Sequence, residues 1–333
     1  MFKLVLSALV ALGAIGLLFL WGGIRPAEVL ETVRSIPLPT FLLALGIQAS
    51  IYVFRAARLR GLLRASGDET VPGALDLTAA SAAWILDSHV LPAKVGEASL
   101  VLHLKRVGVR PEHGLVGLLL SRLFDLLTLV TILGVTCLVL GISGARPGLD
   151  WLTPLGGVLL VGALVLGMII MRGGAMLGLF RRLCVKVGLE RTALGTRISG
   201  FTHKVEAALR SVSLPALGGA ALWSLPVWAA VLGVYIVLGT GVGLAGADGA
   251  SLGLFDLLFG SSLAILGSLV PINGFLGFGV LDLGWAWGFE AVGVPGASAA
   301  ATALAFHTLY LVGVGLLGAL GHLALSRRPT TRP

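Results

Sequence analysis

Apolar residues in this chain fall in long, nearly unbroken runs, without the period-2 or period-3.6 stripes of a fold that keeps one face in water. Runs at about 4–22, 37–54, 114–141, 152–171, 216–239 and 298–325 reach or approach the roughly 20 residues that carry a helix across a bilayer. Two further stretches are apolar but broken. Segment 73–93 holds Asp76, Asp87, His89 and Pro92, and segment 254–283 holds Asp256, Pro271, Asn273, Asp282 and glycines at 274, 277 and 279. This pattern predicts an all-α polytopic membrane protein in which two elements depart from simple spans.

Composition agrees. Charged residues make up 12% of the chain, about half the roughly 25% of a soluble domain, and the mean hydropathy is +0.99. Glycine, at 48 of 333 residues with no three-residue period, suits close helix–helix approach in lipid. The net charge of +8 sits in a few segments between apolar runs, so no nucleic-acid partner is expected. Cys137 lies in an apolar run and Cys184 in a basic segment, with no metal-ligand spacing and no expected disulfide. Met1-Phe2-Lys3 and the run to Trp21 imitate a signal peptide. Gly22-Gly23-Ile24-Arg25-Pro26 then follows without a small-x-small cleavage site, so the run is expected to remain as a first span.

The placement of cations orders the topology. Arg55, Arg58, Arg60 and Arg64 follow the second run without an acid until Asp68 and are expected in a cytoplasmic loop. Beyond segment 73–93 the chain is basic again at Lys94, Lys105, Arg106 and Arg110, so both flanks want the same side. A re-entrant element satisfies both. Loops 142–151 and 240–253 read as external. Segment 172–215 is the most basic and reads as cytoplasmic, with part of it suited to an amphipathic helix on the inner leaflet. Arg327-Arg328 close the last run on the inside, which makes 254–297 a second re-entrant element that opens outward. The expectation is a single membrane domain over 1–325 with a short cytoplasmic tail at 326–333 and both termini inside. It has six full transmembrane helices plus two re-entrant broken-helix elements; eight full spans is the competing arrangement.

An internal repeat runs through both broken elements. One copy reads Pro92-Ala93-Lys94-Val95-Gly96-Glu97, then Gly108-Val109-Arg110-Pro111, with Arg122 fourteen residues after Gly108. The other reads from Pro271 to Asp282, then Gly293-Val294-Pro295, with His307 fourteen residues after Gly293. One copy faces inward by charge and the other outward. The halves 1–141 and 152–325 are therefore expected to be inverted repeats, an architecture that places a substrate site where the broken helices meet.

Chemistry is expected at the same places. Arg122 and Asp125 share one helix face inside an apolar run, either as a structural ion pair or with Arg122 turned to an anionic headgroup. Glu97 after the Pro92–Gly96 turn is placed to pair with Arg122, to meet a substrate cation or to cap the next helix. Lys94 and Arg106 are positioned to collect anionic headgroups from the inner leaflet, as any cytoplasmic basic loop would be. Asn273 with Gly274, Gly277 and Gly279 forms a candidate backbone cradle, and Asp282 and His307 are the ionisable residues of that half. Pro92, Gly96, Pro271, Gly274, Gly277 and Gly279 are expected as structural turns. There is no G-x-S-x-G, P-loop or zinc spacing, and Asp87, His89 and Glu97 do not follow a ligand pattern. No catalytic residue, metal or cofactor is therefore expected.

The chain resembles the flippase-like transmembrane region of lysylphosphatidylglycerol synthase over nearly its whole length. The marks are Arg55-x-x-Arg58-x-Arg60, Leu91-Pro92 with Gly96-Glu97, Arg122-x-x-Asp125, and Pro271 with Gly277-x-Gly279-Val280 before a carboxylate. The family commonly has Glu where Asp282 stands and often Arg near His307. With no soluble catalytic domain after residue 328, the chain is expected to be a stand-alone member without the aminoacyl-transferase domain. The resemblance implies movement of an anionic or modified-headgroup lipid between leaflets of a bacterial or archaeal cytoplasmic membrane. Two alternatives stay open: an accessory subunit that presents lipid to a separately encoded enzyme, and an intramembrane lipid-modifying enzyme. Membrane phospholipid, or another anionic lipid, is the expected partner.

Overall fold

The computed structural model describes residues 16, 25–68, 71–91, 95–143, 148–172, 205, 207–269 and 275–327. Among them the protein is helical throughout, with no strand. In chain order the helices are α1 (Pro26–Ser35), α2 (Leu38–Ala65), α3 (Ala74–Val90), α4 (Ser99–Arg106), α5 (Pro111–Ser143), α6 (Leu152–Met171), α7 (Leu214–Gly241), α8 (Leu254–Leu269), α9 (Val280–Ala291) and α10 (Gly296–Ser326). Single 3-10 turns at Val95–Ala98 and Phe275–Gly277 lead into α4 and α9. Five helices, α2, α5, α6, α7 and α10, are long and apolar enough to cross a membrane. They match five of the six expected runs. The sixth, 4–22, lies outside the described residues apart from Gly16, as does most of the basic segment 172–215.

Local signals set the helix ends. Prolines occupy the first turn of α1, α2 and α7, where a missing N–H costs nothing, and Pro295 precedes α10. Glycines with positive φ follow α2, α4, α7 and α9, at Gly67, Gly108, Gly243 and Gly293. One expectation is corrected here. Arg55, Arg58, Arg60 and Arg64 are not in a loop after the second span, because α2 runs through all four to Ala65. The helix continues because Arg55 and Arg58 find a buried carboxylate on α5, so their charge is neutralised within the protein.

Both broken segments form a helix, a turn and a second helix. In the first, α3 is continuous to Val90 and the break falls after it. In the second, α8 ends at Leu269 and α9 starts at Val280. Helix contacts pair across the halves. α2 packs on α7, α3 lies along α10, and α8 lies along α5, while each short helix also touches the long one that follows it, α4 on α5 and α9 on α10. Glycines allow the closest approaches: a methyl on Gly288 would come 2.9 Å from the Gly260 Cα across the α8–α9 contact.

The largest apolar cluster among the described residues joins α2 to α5 through α10, with Trp285 stacked on Phe306 at 4.3 Å and Tyr235 at 4.6 Å from the same ring. Outward faces are apolar too. Val158, Val161, Leu164 and Met168 of α6 are all exposed, the arrangement of a surface solvated by lipid.

Candidate substrate site

The last turns of α3 and α8 and the 3-10 turns that follow them open onto one cavity of about 160 Å³. Ile85, Ser88, His89 and Glu97 come from the first broken element; Ile265, Ser268, Leu269, Gly277 and Leu281 come from the second. Helices α2, α5, α7 and α10 close the walls with Gln48, Tyr52, Arg55, Arg122, Asp125, Leu129, Trp228, Tyr235 and Tyr310. A single water needs only roughly 10–15 Å³ of such space, so the cavity admits a polar group of several atoms.

One wall is a network of five charges. Arg122 Nε donates to Glu97 Oε2 at 2.9 Å, and its Nη2 donates to the same oxygen. Arg122 Nη1 stands 3.5 Å from Asp125 Oδ2. Asp125 is 5% exposed and has a closer partner in Arg58 Nη1, 2.9 Å from Oδ1, with Arg55 Nη1 3.4 Å from Oδ2. Arg58 Nη1 also donates to Ser224 Oγ of α7 at 2.9 Å. Trp84 lies beneath this network, its ring 4.5 Å from the Arg122 guanidinium and 5.6 Å from that of Arg55. Three guanidinium groups meet two carboxylates, which leaves the network one net positive charge, with Arg58 buried behind the residues that line the cavity. The Arg55 Nε–H is buried and has no hydrogen-bond partner among the described residues.

A second acid–base pair lies behind the lining at Gly277. His307 Nδ1 sits 2.7 Å from Asp282 Oδ1, both side chains fully buried, and Asp282 Oδ2 accepts from the Gly279 N–H at 2.8 Å. Asp282 thus closes the first turn of α9 and orients His307. Phe278 stacks on the imidazole at 4.2 Å. The other nitrogen, His307 Nε2, has no hydrogen-bond partner among the described residues and would lie 3.6 Å from a Cβ placed on Gly277, a cavity-lining residue. Gly277 (φ 85°) and Gly279 (φ 128°) supply left-handed backbone beside Leu276, which is itself held at φ 59°. The two pairs correspond: Glu97–Arg122 and Asp282–His307 are each 25 residues apart in sequence.

Of the residues expected from sequence, Arg122, Asp125, Glu97 and Gly277 therefore meet in the cavity. Asp282 and His307 stand one layer behind it, and Gly279 serves Asp282. Gly96 packs against α3, where an added methyl would collide with the Asp87 carbonyl. Arg106 is exposed at the end of α4 and does not line the cavity. Lys94, Asn273, Pro92, Pro271 and Gly274 lie outside the described residues. Sequence reasoning missed Arg55 and Arg58 as site residues by placing them in a loop. It also passed over Tyr52, Tyr235 and Tyr310, the three tyrosines of the chain, all of which line the cavity. Their scarcity in so apolar a sequence was the available signal.

The model of the lysylphosphatidylglycerol synthase TM region matches residues 3–318. The chain belongs to that family. Among curated proteins none matches it. As a member of the lysylphosphatidylglycerol synthase TM family with five apolar helices of spanning length, it is a multi-pass membrane protein.

Proposed function

We propose that the protein is a lipid translocase that moves an anionic or modified-headgroup lipid between leaflets, with the headgroup held in the central cavity. The observation that carries this reading is the pair of arginines, Arg55 and Arg122, that line the cavity as part of a buried network holding three guanidinium groups against two carboxylates. Arginine forks match phosphate and carboxylate geometry, and low local dielectric strengthens that attraction. Arg122, 31% exposed, takes the headgroup by exchanging part of its bond to Glu97 for the ligand, while Asp125 keeps Arg58 and Arg55 in place. Acyl chains stay in lipid along the apolar outer faces. Membership in a family of membrane domains from lipid-synthesising enzymes supports a role with membrane lipids.

In this reading the halves are inverted repeats, and the two broken elements are re-entrant. Their support is the reciprocal packing of α3 on α10 and α8 on α5, and the matching acid–base pairs. The same reading places the protein in a cytoplasmic membrane with both termini inside.

Headgroup-specific leaflet exchange in proteoliposomes holding only this protein tests the proposal. Exchange of an anionic phospholipid is expected to fall at least about tenfold in Arg122→Ala, as the loss of a charge-assisted contact of about 1.5–3 kcal/mol requires, and to change in Glu97→Gln. Unchanged exchange in both variants overturns the site. Absence of exchange for every anionic lipid tried points to the accessory role, and a chemically altered lipid points to an enzyme.

A further inference from the structure

Outside the cavity, on the far side of the Glu97 turn, three helices bring together an acid and two imidazoles that no sequence spacing connects. His103 Nε2 of α4 lies 2.7 Å from Asp87 Oδ2 of α3, and His322 Nε2 of α10 lies 2.9 Å from Asp87 Oδ1. The two rings meet edge to face at 5.2 Å between centroids, and one ligand atom from each of the three residues lies within 4.8 Å of the others. His103 is 5% exposed at its side chain, Asp87 19% and His322 37%, so the group is closed on the α4 side and partly exposed on the α10 side.

We propose that Asp87, His103 and His322 form a binding site for a first-row divalent metal ion of the zinc class. Two imidazole nitrogens and one carboxylate oxygen are a borderline donor set that suits zinc, cobalt or nickel and not calcium or magnesium. Bonds of about 2.0–2.1 Å to a tetrahedral ion put ligand atoms roughly 3.3 Å apart, so the N···O distances widen by about half an ångström and the two nitrogens draw inward. His322, the most exposed of the three, is the side chain free to move, and water fills the remaining position on its side.

The place in the fold gives the ion a task. Gly96 packs on the Asp87 carbonyl, and the next residue is Glu97, so an ion that ties α3 to α4 and α10 also fixes the turn that presents Glu97 to Arg122. The site is independent of what the cavity carries, and its test is a binding measurement that translocation does not enter.

Purified protein, freed of any affinity tag and of metal, is titrated with Co²⁺ and followed by visible absorption. Total metal is measured after dialysis against Zn²⁺. One equivalent per chain is expected, with ligand-field bands that Zn²⁺ abolishes, and with binding lost in His322→Ala and in Asp87→Asn. Thermal melting of His322→Ala within a few degrees of the parent shows that the loss is not unfolding. No saturable band, which leaves a hydrogen-bonded triad only, overturns the proposal. So does stoichiometric binding that survives both substitutions.

Discussion

Asp125 forms ion pairs with Arg58 and Arg55 where water has little access, so removing its charge strands two guanidinium groups in the protein interior. Breaking a buried pair by deleting one partner costs about 3–5 kcal/mol. Asp125→Asn is therefore expected to lower the melting temperature in detergent sharply. Arg122→Ala, whose side chain keeps contact with solvent, is expected to lower stability by only about 1 kcal/mol. If both variants melt alike, the division of the wall into a buried clamp and a mobile ligand arm is wrong. Sequence spacing showed only half of this network. The helical i, i+3 relation puts Arg122 and Asp125 on one face, and that pair exists at 3.5 Å. The tighter partner, Arg58, comes from another helix, and a tertiary ion pair leaves no mark in local periodicity.

At the level of elements, hydropathy located the spans well because lipid demands long apolar helices, and α5, α6, α7 and α10 agree with their runs to within a few residues. It failed at α2, where charges inside a helix imitate a loop, and it gave no account of how the broken elements turn. The break before α4 depends on Gly96. Because any Cβ there would run into the Asp87 carbonyl, Gly96→Ala is expected to displace the turn and break the Glu97–Arg122 bond. Gly157→Ala on α6 meets nothing within 4 Å among the described residues and is expected to fold as the parent does, since Ala is the better helix former. Folded yield by size-exclusion chromatography, with leaflet exchange as the second measurement, checks both. Equal tolerance of the two substitutions would show that the turn does not need its glycine.

Over the whole molecule, exchanging α2 with α7, α3 with α8, α4 with α9 and α5 with α10 turns the observed helix contacts into one another. The turn hydrogen bonds follow the same exchange: Val109 N–H donates to Leu104 O and Val294 N–H to Phe289 O, both at 3.0 Å. The glycine–valine marks in the sequence lie at these two turns. The cross-pairing of helices was not legible, because packing between distant helices has no sequence period. If the halves are inverted and rock about the shared cavity, that cavity opens to each face in turn. Ser88 at the end of α3 and Ser268 at the end of α8 both line it. Single cysteines at these positions, with Cys137→Ala and Cys184→Ser in the background, are expected to react with a membrane-impermeant thiol reagent from either side of oriented vesicles. An anionic lipid in the cavity should slow both reactions, since it occupies the space the reagent must enter. Reaction from one face only, at both positions, would describe a cavity that never turns over, and translocation by exchange of the halves would fall with it.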